Sequence, residues 1–444
     1  MRAAAWSRLL LILLCLLPLA ILFLLPGGHL MSSMLWFWIQ MLFTMIVVWI
    51  LLGVPAEPMA RPRPPERQPL TDDQLPPVIS EVMQVHVATE QDGVTIIRGP
   101  LLESPETAYE KIQQSLGDGA VPLLRDDPEF GSAIVMLPQH VERAEMERTS
   151  SPAVNWLLFV LTMLTTTWAG AAHQGVNLLE EPGRFAVGLP YAIGLMAILG
   201  VHELGHFFTA RYHGIHVTPP FFIPVPFALG TFGAFIQMKS PTQTRTALFD
   251  VAVAGPLAGL VIAIPALLIG LQNSAVVTGG MEFEHQMLIS HQGTSMGSSV
   301  LLALIAKVAL PEALDTGCTV RLSPLAFAGW LGLIVTALNL LPIRQLDGGH
   351  IARAMFGSRV GGTIGTIAMW TLFLLALFVW PALMMWAIIV FFIAGRGVPP
   401  LNDITPISFG RRLLGYFALA ILLLILTPVP HSLMNEMGIY CPYV

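Results

Sequence analysis

Charge is what this sequence has least of. Lys and Arg number 22 and Asp and Glu 28 among 444 residues, so 11% of the chain is charged, where a soluble globular domain carries about 25%. So small a share argues for a bilayer as solvent and against a large soluble enzyme. The net charge of −6 gives no basis for a nucleic-acid partner. Cysteine is scarce too. Cys15, Cys318 and Cys441 form no C-x-x-C pair, which excludes a cysteine-rich zinc site and a disulfide framework and leaves only a single Cys318–Cys441 bridge open.

What is abundant is apolar sequence, 55% of the chain. Stretches long enough to cross a hydrocarbon core, about 20 residues each, recur at Leu9–Pro26, Met34–Val54, Asn155–Ala172, Phe185–Ala210, Leu248–Leu271, Ser323–Leu341, Gly362–Val379, Leu383–Ala394 and Leu413–Thr427. The Leu383 stretch is short and follows Pro381, so it reads as a span or as half of a hairpin. The fold expected is an α-helical integral membrane protein of eight to nine spans with a small α+β soluble domain inserted after the second. The first stretch follows Arg2 and Arg8 and lacks a small-x-small cleavage site before Pro26, so it reads as an uncleaved anchor. With the N-terminus inside and nine spans, fourteen Lys and Arg residues outside the soluble domain fall on the inner side, and only Arg184, Lys307 and Arg321 on the outer. That asymmetry sets the orientation.

Residues 1–54 are expected as a transmembrane hairpin and 55–77 as a Pro- and Arg-rich linker too stiff and polar to pack a core. Residues 78–150 read as the soluble α+β domain, 151–430 as the main membrane domain and 431–444 as a tail. Within the soluble domain, strands are expected at Val82–Ala88, Val94–Arg98, Val121–Leu124 and Ser132–Leu137, the first two around the turn Gln91-Asp92-Gly93. Ser104-Pro105-Glu106 supplies a cap, a first-turn proline and an acidic first turn to a helix ending at Gly117. No nucleophile–base or metal-ligand pattern occurs in it, which leaves a regulatory role or a structural cap.

The fourth stretch ends in His202-Glu203-Leu204-Gly205-His206. Residues four apart share a helix face, so two imidazoles can grip one metal ion with Glu203 beside it. Zinc so held lowers the pKa of a water to about 7, and the carboxylate takes the proton as the water attacks a carbonyl. Ionisable groups inside a membrane helix are costly and functional by default. The third ligand is less direct. A metzincin would need a His where Tyr212 stands, and no Glu occurs between Glu203 and Glu282. Asp347 is a candidate: it follows the sixth span in Asn339-Leu340-Leu341-Pro342…Leu346-Asp347-Gly348-Gly349-His350, where Pro342 breaks the helix and two glycines let the backbone bend. The fourth and sixth spans run in the same direction, so both motifs lie near the same, inner face.

With these motifs, and Ala254-Gly255-Pro256-Leu257-Ala258-Gly259 in the fifth span, the region from Ala153 to the C-terminus resembles the site-2 protease family of intramembrane zinc metalloproteases. The resemblance implies zinc ligation by His202, His206 and Asp347, Glu203 as general base, and Asn339 as a residue that positions substrate or stabilises the oxyanion. It implies substrates that are membrane proteins with a transmembrane segment. Many bacterial members carry a PDZ domain between the motifs. Gln272–Leu322 leaves no room for one, so the chain is similar to the PDZ-less branch of cyanobacteria and chloroplasts.

Between the fourth and fifth spans, Pro219–Pro226 holds four prolines in apolar sequence, followed by Gly230–Ile236. Irregular backbone at membrane depth must be buried in protein or line a cavity. A re-entrant loop or hairpin beside the zinc fits, its edge pairing with an unwound substrate; an interfacial loop that only seals the site is the alternative. His213 and His216 read as interface residues, and His350 as support for a ligand or a polar helix start. The function expected is hydrolysis of peptide bonds in or near transmembrane segments. The alternatives are a membrane metal-binding or transport protein and an inactive protease-like scaffold. A bacterial cytoplasmic membrane is the expected location, with the site near its cytosolic face, and the oligomeric state is not legible.

Overall fold

The computed structural model describes residues 68–71, 74–91, 94–117, 120–138, 152–225, 229–278, 299–310, 318–343, 345–378, 383–393 and 399–427. The first two expected spans, most of the expected linker, Cys15, Cys441, the turn residues Asp92 and Gly93 and the tail 431–444 lie outside them.

Residues 68–138 form a five-stranded antiparallel sheet with two helices. The strands are β1 (Gln68–Pro69), β2 (Val87–Gln91), β3 (Val94–Arg98), β4 (Ala120–Asp127) and β5 (Gly131–Pro138), in the order β1-β2-β3-β5-β4. One face alternates inward at Ala88, Ile97, Ile134 and Leu124. These pack with Ile79 and Val82 of α1 (Pro77–Val82) and Ala108, Tyr109 and Ile112 of α2 (Pro105–Leu116) in one apolar core. The Ser104 hydroxyl accepts from the Thr107 N–H at the start of α2, and Gly117 closes the helix at φ +51°, a conformation glycine adopts without a Cβ penalty. Two expectations change here. Val82 ends a helix rather than opening a strand, because Pro76 and Pro77 start a turn of helix whose apolar residues reach the core. The sheet also begins inside the expected linker, at Gln68, and Leu70 and Leu75 pack against the core.

Five helices among the described residues are long and apolar enough to cross a membrane. They are α3 (Pro152–His173), α4 (Leu189–Tyr212, entered through a 3₁₀ turn at Pro182–Gly188), α5 (Arg245–Gln272), α8 (Asp347–Phe378) and α10 (Phe409–Leu426). Three apolar helices are shorter: α6 (Val300–Ala309), α7 (Pro324–Leu340) and α9 (Leu383–Ile393). The protein is thus mainly helical and built for a bilayer, with five long spans where eight to nine were expected over the whole chain. The sixth expected span is the 17-residue α7, stopped at Leu341-Pro342. The Leu383 stretch is an 11-residue helix that packs back on α8 through Val390, Ala387, Met369 and Leu372.

Helix α5 is the hub. Its apolar residues contact α4, α6, α7, α8 and α10 in one cluster. Close packing follows from small residues: a Cβ on Gly329 of α7 would stand 2.7 Å from the Leu267 backbone, and one on Gly205 2.7 Å from the Ala254 carbonyl oxygen. Without a hydrophobic drive between helices in lipid, such close approaches hold a bundle together. Between α4 and α5, β6 (Phe221–Pro224) and β7 (Thr231–Phe235) form an antiparallel hairpin with an irregular register between Phe222 and Pro224. A second two-stranded antiparallel sheet pairs β8 (Ala275–Thr278) with β9 (Cys318–Arg321), strands that flank α6 in the chain.

Candidate metal centre and active site

The second half of α4 carries His202, Glu203 and His206, all buried. Their helix spacing puts the two imidazoles on the face that α5 covers. Nε2 of His202 lies 3.1 Å from Nε2 of His206. The chain returns to this point at the start of α8, where Oδ2 of Asp347 stands 3.4 Å from Nε2 of His202 and 3.3 Å from Nε2 of His206. Two nitrogens and one oxygen bound to tetrahedral zinc at about 2.0–2.1 Å would be about 3.3 Å apart. The triangle therefore fits zinc, as does its chemistry of two imidazoles and one carboxylate. It is the one such cluster of His, Cys, Asp and Glu donors among the described residues.

The backbone orients each donor. Nδ1 of His206 donates to the Val251 carbonyl at 2.7 Å, leaving Nε2 with its lone pair toward Asp347; a carbonyl behind an imidazole is the usual way a ligand tautomer is set. Helix α5 can approach this closely because residue 255 is glycine: a Cβ there would sit 2.1 Å from Nε2 of His206, while one on Gly259 would meet His202 at 3.3 Å. Asp347 is placed by the turn after α7. The Leu346 carbonyl accepts from the N–H groups of Gly349 and His350, and Gly348 lies so near α7 that a Cβ would be 1.9 Å from the Leu340 carbonyl oxygen. The carboxylate thereby occupies the first turn of α8, where the helix dipole favours negative charge.

Around the triangle is a cavity of about 230 Å³ lined by Glu203, Asn339, His350, Gln345 and Thr242, with Ala234, Phe235 and Ile236 from β7 and its exit. Nδ2 of Asn339 lies 3.3 Å from Nε2 of His202. The Ile236 backbone N–H faces the Glu203 carboxylate. Thus every residue singled out for the site, His202, Glu203, His206, Asn339 and Asp347, lines one cavity, with His350 on its wall. His213 does not; its Nε2 lies 3.0 Å from Asp250, whose carboxylate also takes two hydrogen bonds from Arg411 at 2.7 and 2.8 Å. His216 lines no part of the cavity either.

The Pro-rich segment is the hairpin β6–β7, fixed from outside by α3 and α4. Nδ2 of Asn155 donates to the carbonyls of Pro219 and Pro220 at 3.0 and 2.9 Å. Oγ1 of Thr165 donates to Gly230 at 2.6 Å, and the Tyr191 hydroxyl to Leu229 at 2.9 Å. The motif reading missed these anchors. The signal available was Asn155 standing in an apolar span, where a lone polar residue has a partner by default.

Residues 190–379, which hold the triangle, Glu203, Asn339 and the hairpin, match the model of Peptidase family M50. Over this segment, 190 of its 444 residues, the chain is similar to peptidase family M50. The resemblance to site-2 proteases is met by this match. The M50 segment and its flanks are 30% identical over 359 residues to "Probable zinc metalloprotease EGY2, chloroplastic" of Arabidopsis thaliana, covering 77% of this chain and 61% of that one. They are 34% identical over 303 residues to "Probable zinc metalloprotease EGY1, chloroplastic" of the same plant, covering 64% and 54%. A third relative, "Probable zinc metallopeptidase EGY3, chloroplastic" of the same plant, is 27% identical over 335 residues, covering 71% and 57%. The chain thus spans between 54% and 61% of the length of these relatives. Their names place them in chloroplasts, which lends no support to the expected bacterial cytoplasmic membrane.

Proposed function

We propose that the protein is an intramembrane zinc metalloendopeptidase that hydrolyses peptide bonds within or beside transmembrane segments of other membrane proteins. The observation that carries this reading is the triangle of His202, His206 and Asp347 donors with Glu203 beside it, set in helices apolar enough to cross a bilayer. The match of residues 190–379 to family M50 and the zinc-metalloprotease names of the relatives support it.

In this reading His202, His206 and Asp347 hold the zinc. A bound zinc supplies Lewis acidity toward a water and a substrate carbonyl. Glu203 accepts the proton of the attacking water through its carboxylate as the new C–O bond forms, then hands it to the amide nitrogen, which departs as the C–N bond breaks. Burial keeps bulk water from competing for that carboxylate, and the Ile236 N–H faces it. Asn339 presents a side-chain N–H into the cavity, where it can stabilise charge developing on the carbonyl oxygen. The β7 edge offers backbone groups to an extended substrate strand, because a helix must unwind before its peptide bonds are accessible.

Replacing Glu203 with Gln tests the reading. Cleavage of a reporter with one transmembrane segment between two soluble tags should disappear while zinc stays bound. A metal transporter would keep transport in that variant and a scaffold would be indifferent; either outcome overturns the protease reading.

A further inference from the structure

Helices α4 and α5 run antiparallel and meet along one face. Gly259 lies against His202, Gly255 against His206, and the side chain of Asp250 against His213. His206 and His213 are seven residues apart, two turns of helix, so they share one side of α4. Both are fastened to adjacent residues of α5. Nδ1 of His206 bonds the Val251 carbonyl, and Nε2 of His213 lies 3.0 Å from Oδ2 of Asp250. A helix carbonyl points toward the C-terminus of its helix, while a side chain leans toward the N-terminus. One position on α5 therefore reaches two points of its antiparallel neighbour that are about 10 Å apart. Between them Ala210 of α4 packs with Ala247 and Val251 of α5.

The carboxylate of Asp250 is itself held from a third helix. Nε of Arg411, in the first turn of α10, donates to Oδ1 at 2.7 Å, and its Nη2 donates to Oδ2 at 2.8 Å. Such a fork fixes the plane of the carboxylate as well as its position. A carboxylate only accepts, so His213 is the donor of its pair. Asp250 and Arg245 are the only charged residues of α5, and an ionisable residue in a helix apolar enough to cross a membrane carries a partner and a role by default. Two separated fastenings determine what one cannot. The bond from His206 alone leaves α4 free to pivot about it, whereas a second bond two turns away fixes both the rotation and the slide of the helix.

We propose that Asp250 is a positioning residue: aimed by Arg411, it clasps His213 and so sets the rotation and register at which α4 presents His202 and His206 to the metal. It lines no part of the cavity and acts through α4 alone. His213, which also stands outside the cavity, is then part of how the site is built. The inference deepens the protease reading and rests on it for its kinetic arm only.

The test uses the full-length protein in lipid nanodiscs. Its readouts are amide exchange of the metal-free protein, loss of zinc to a chelator, visible absorption of the cobalt(II)-loaded protein, and cleavage of the single-span reporter. Asp250→Ala should speed exchange at residues 202–206 as well as at 210–215, release zinc faster and lower kcat with KM little changed. Those effects should be about 2- to 30-fold, the range over which such couplings act. The cobalt bands should shift, because they follow the geometry of the ligands. His213→Leu should move every readout in the same direction, and His213→Gln, which keeps a donor, should return most of each. Arg411→Lys, a point charge in place of a fork, should fall between wild type and Asp250→Ala. His213 closes the end of α4 and is 18% exposed, so its two variants decide the matter if Asp250→Ala fails to fold. Faster exchange confined to 210–215 and the start of α10, with residues 202–206, zinc release and the cobalt bands as in wild type, would overturn the proposal. If the wild type takes up no metal and cuts no reporter, the protease reading falls, and exchange at 202–206 still decides this one.

Discussion

Nδ1 of His206 donates to the Val251 carbonyl across a 2.7 Å hydrogen bond. That contact ties the metal-facing helix α4 to the hub helix α5, and it exists only because α5 presents glycine where a side chain would strike the imidazole. Gly255→Ala puts a methyl 2.1 Å from Nε2 of His206, and a ring in that position has no room to turn while it keeps the Val251 bond. Zinc affinity should fall at least as far as when the groups supporting a ligand are removed, about 10- to 100-fold. Gly259→Ala, at 3.3 Å from His202, should lose much less. Zinc content of the two purified variants, side by side, checks the pair; equal retention would mean that α5 can back away from α4.

Asp347 is the proposed ligand whose removal should separate metal binding from folding. Its side chain lines the cavity, so Asp347→Ala should keep the helix content while zinc per chain falls sharply, because two imidazoles alone rarely hold zinc. Asp347→Asn, which keeps the shape and removes the charge, should also lose most of the metal. Far-ultraviolet circular dichroism with metal analysis checks both. Unchanged zinc in either variant would remove Asp347 from the site.

How far the sequence reached depends on which atoms do the work. His202, Glu203 and His206 lie within one turn, so their pattern is local and legible. Asp347 lies far along the chain and was legible through the Pro342 and Gly348-Gly349 signals, the resemblance to site-2 proteases, and the count of spans, which brought the end of the sixth apolar stretch to the same face. The supports were not. The Val251 carbonyl and the Ile236 N–H are backbone groups that every residue carries, so no residue type announces them. The clasp on Asp250 was hidden for a different reason: its partners His213 and Arg411 stand 37 and 161 residues away, and no spacing links them. The strand misplaced at Val82–Ala88 shows the limit of alternation, since two prolines outweighed β-branched composition and opened a short helix there.

Asn155 should matter for substrate affinity more than for metal. It makes two hydrogen bonds to the hairpin from a buried position. Asn155→Leu leaves the carbonyls of Pro219 and Pro220 without their donor, a cost of about 1–3 kcal/mol for buried groups. The hairpin should loosen, raising KM for the single-span reporter several-fold with zinc content unchanged. Thr165→Val, which deletes the bond to Gly230 at the other end of the hairpin, should act in the same direction. A drop in kcat at constant KM would instead mean that the hairpin serves Glu203 through the Ile236 N–H and not the substrate strand.

Gly348→Ala is the sharpest probe of how Asp347 is delivered. The residue is helical, so the backbone tolerates alanine, and by propensity alone the change should stabilise α8 by about 0.8–1 kcal/mol. Packing opposes it: the new Cβ would stand 1.9 Å from the Leu340 carbonyl oxygen and 2.5 Å from that of Leu341, and both are backbone atoms that no side-chain rotation can clear. The end of α7 and the start of α8 must then part, and Asp347, one residue before the clash, moves with α8. The expected protein is well folded and helical, yet short of zinc and inactive on the reporter, although every ligand is present. If Gly348→Ala keeps full zinc, the turn after α7 is pliable, and Asp347 is held in place by the metal itself rather than by the fold.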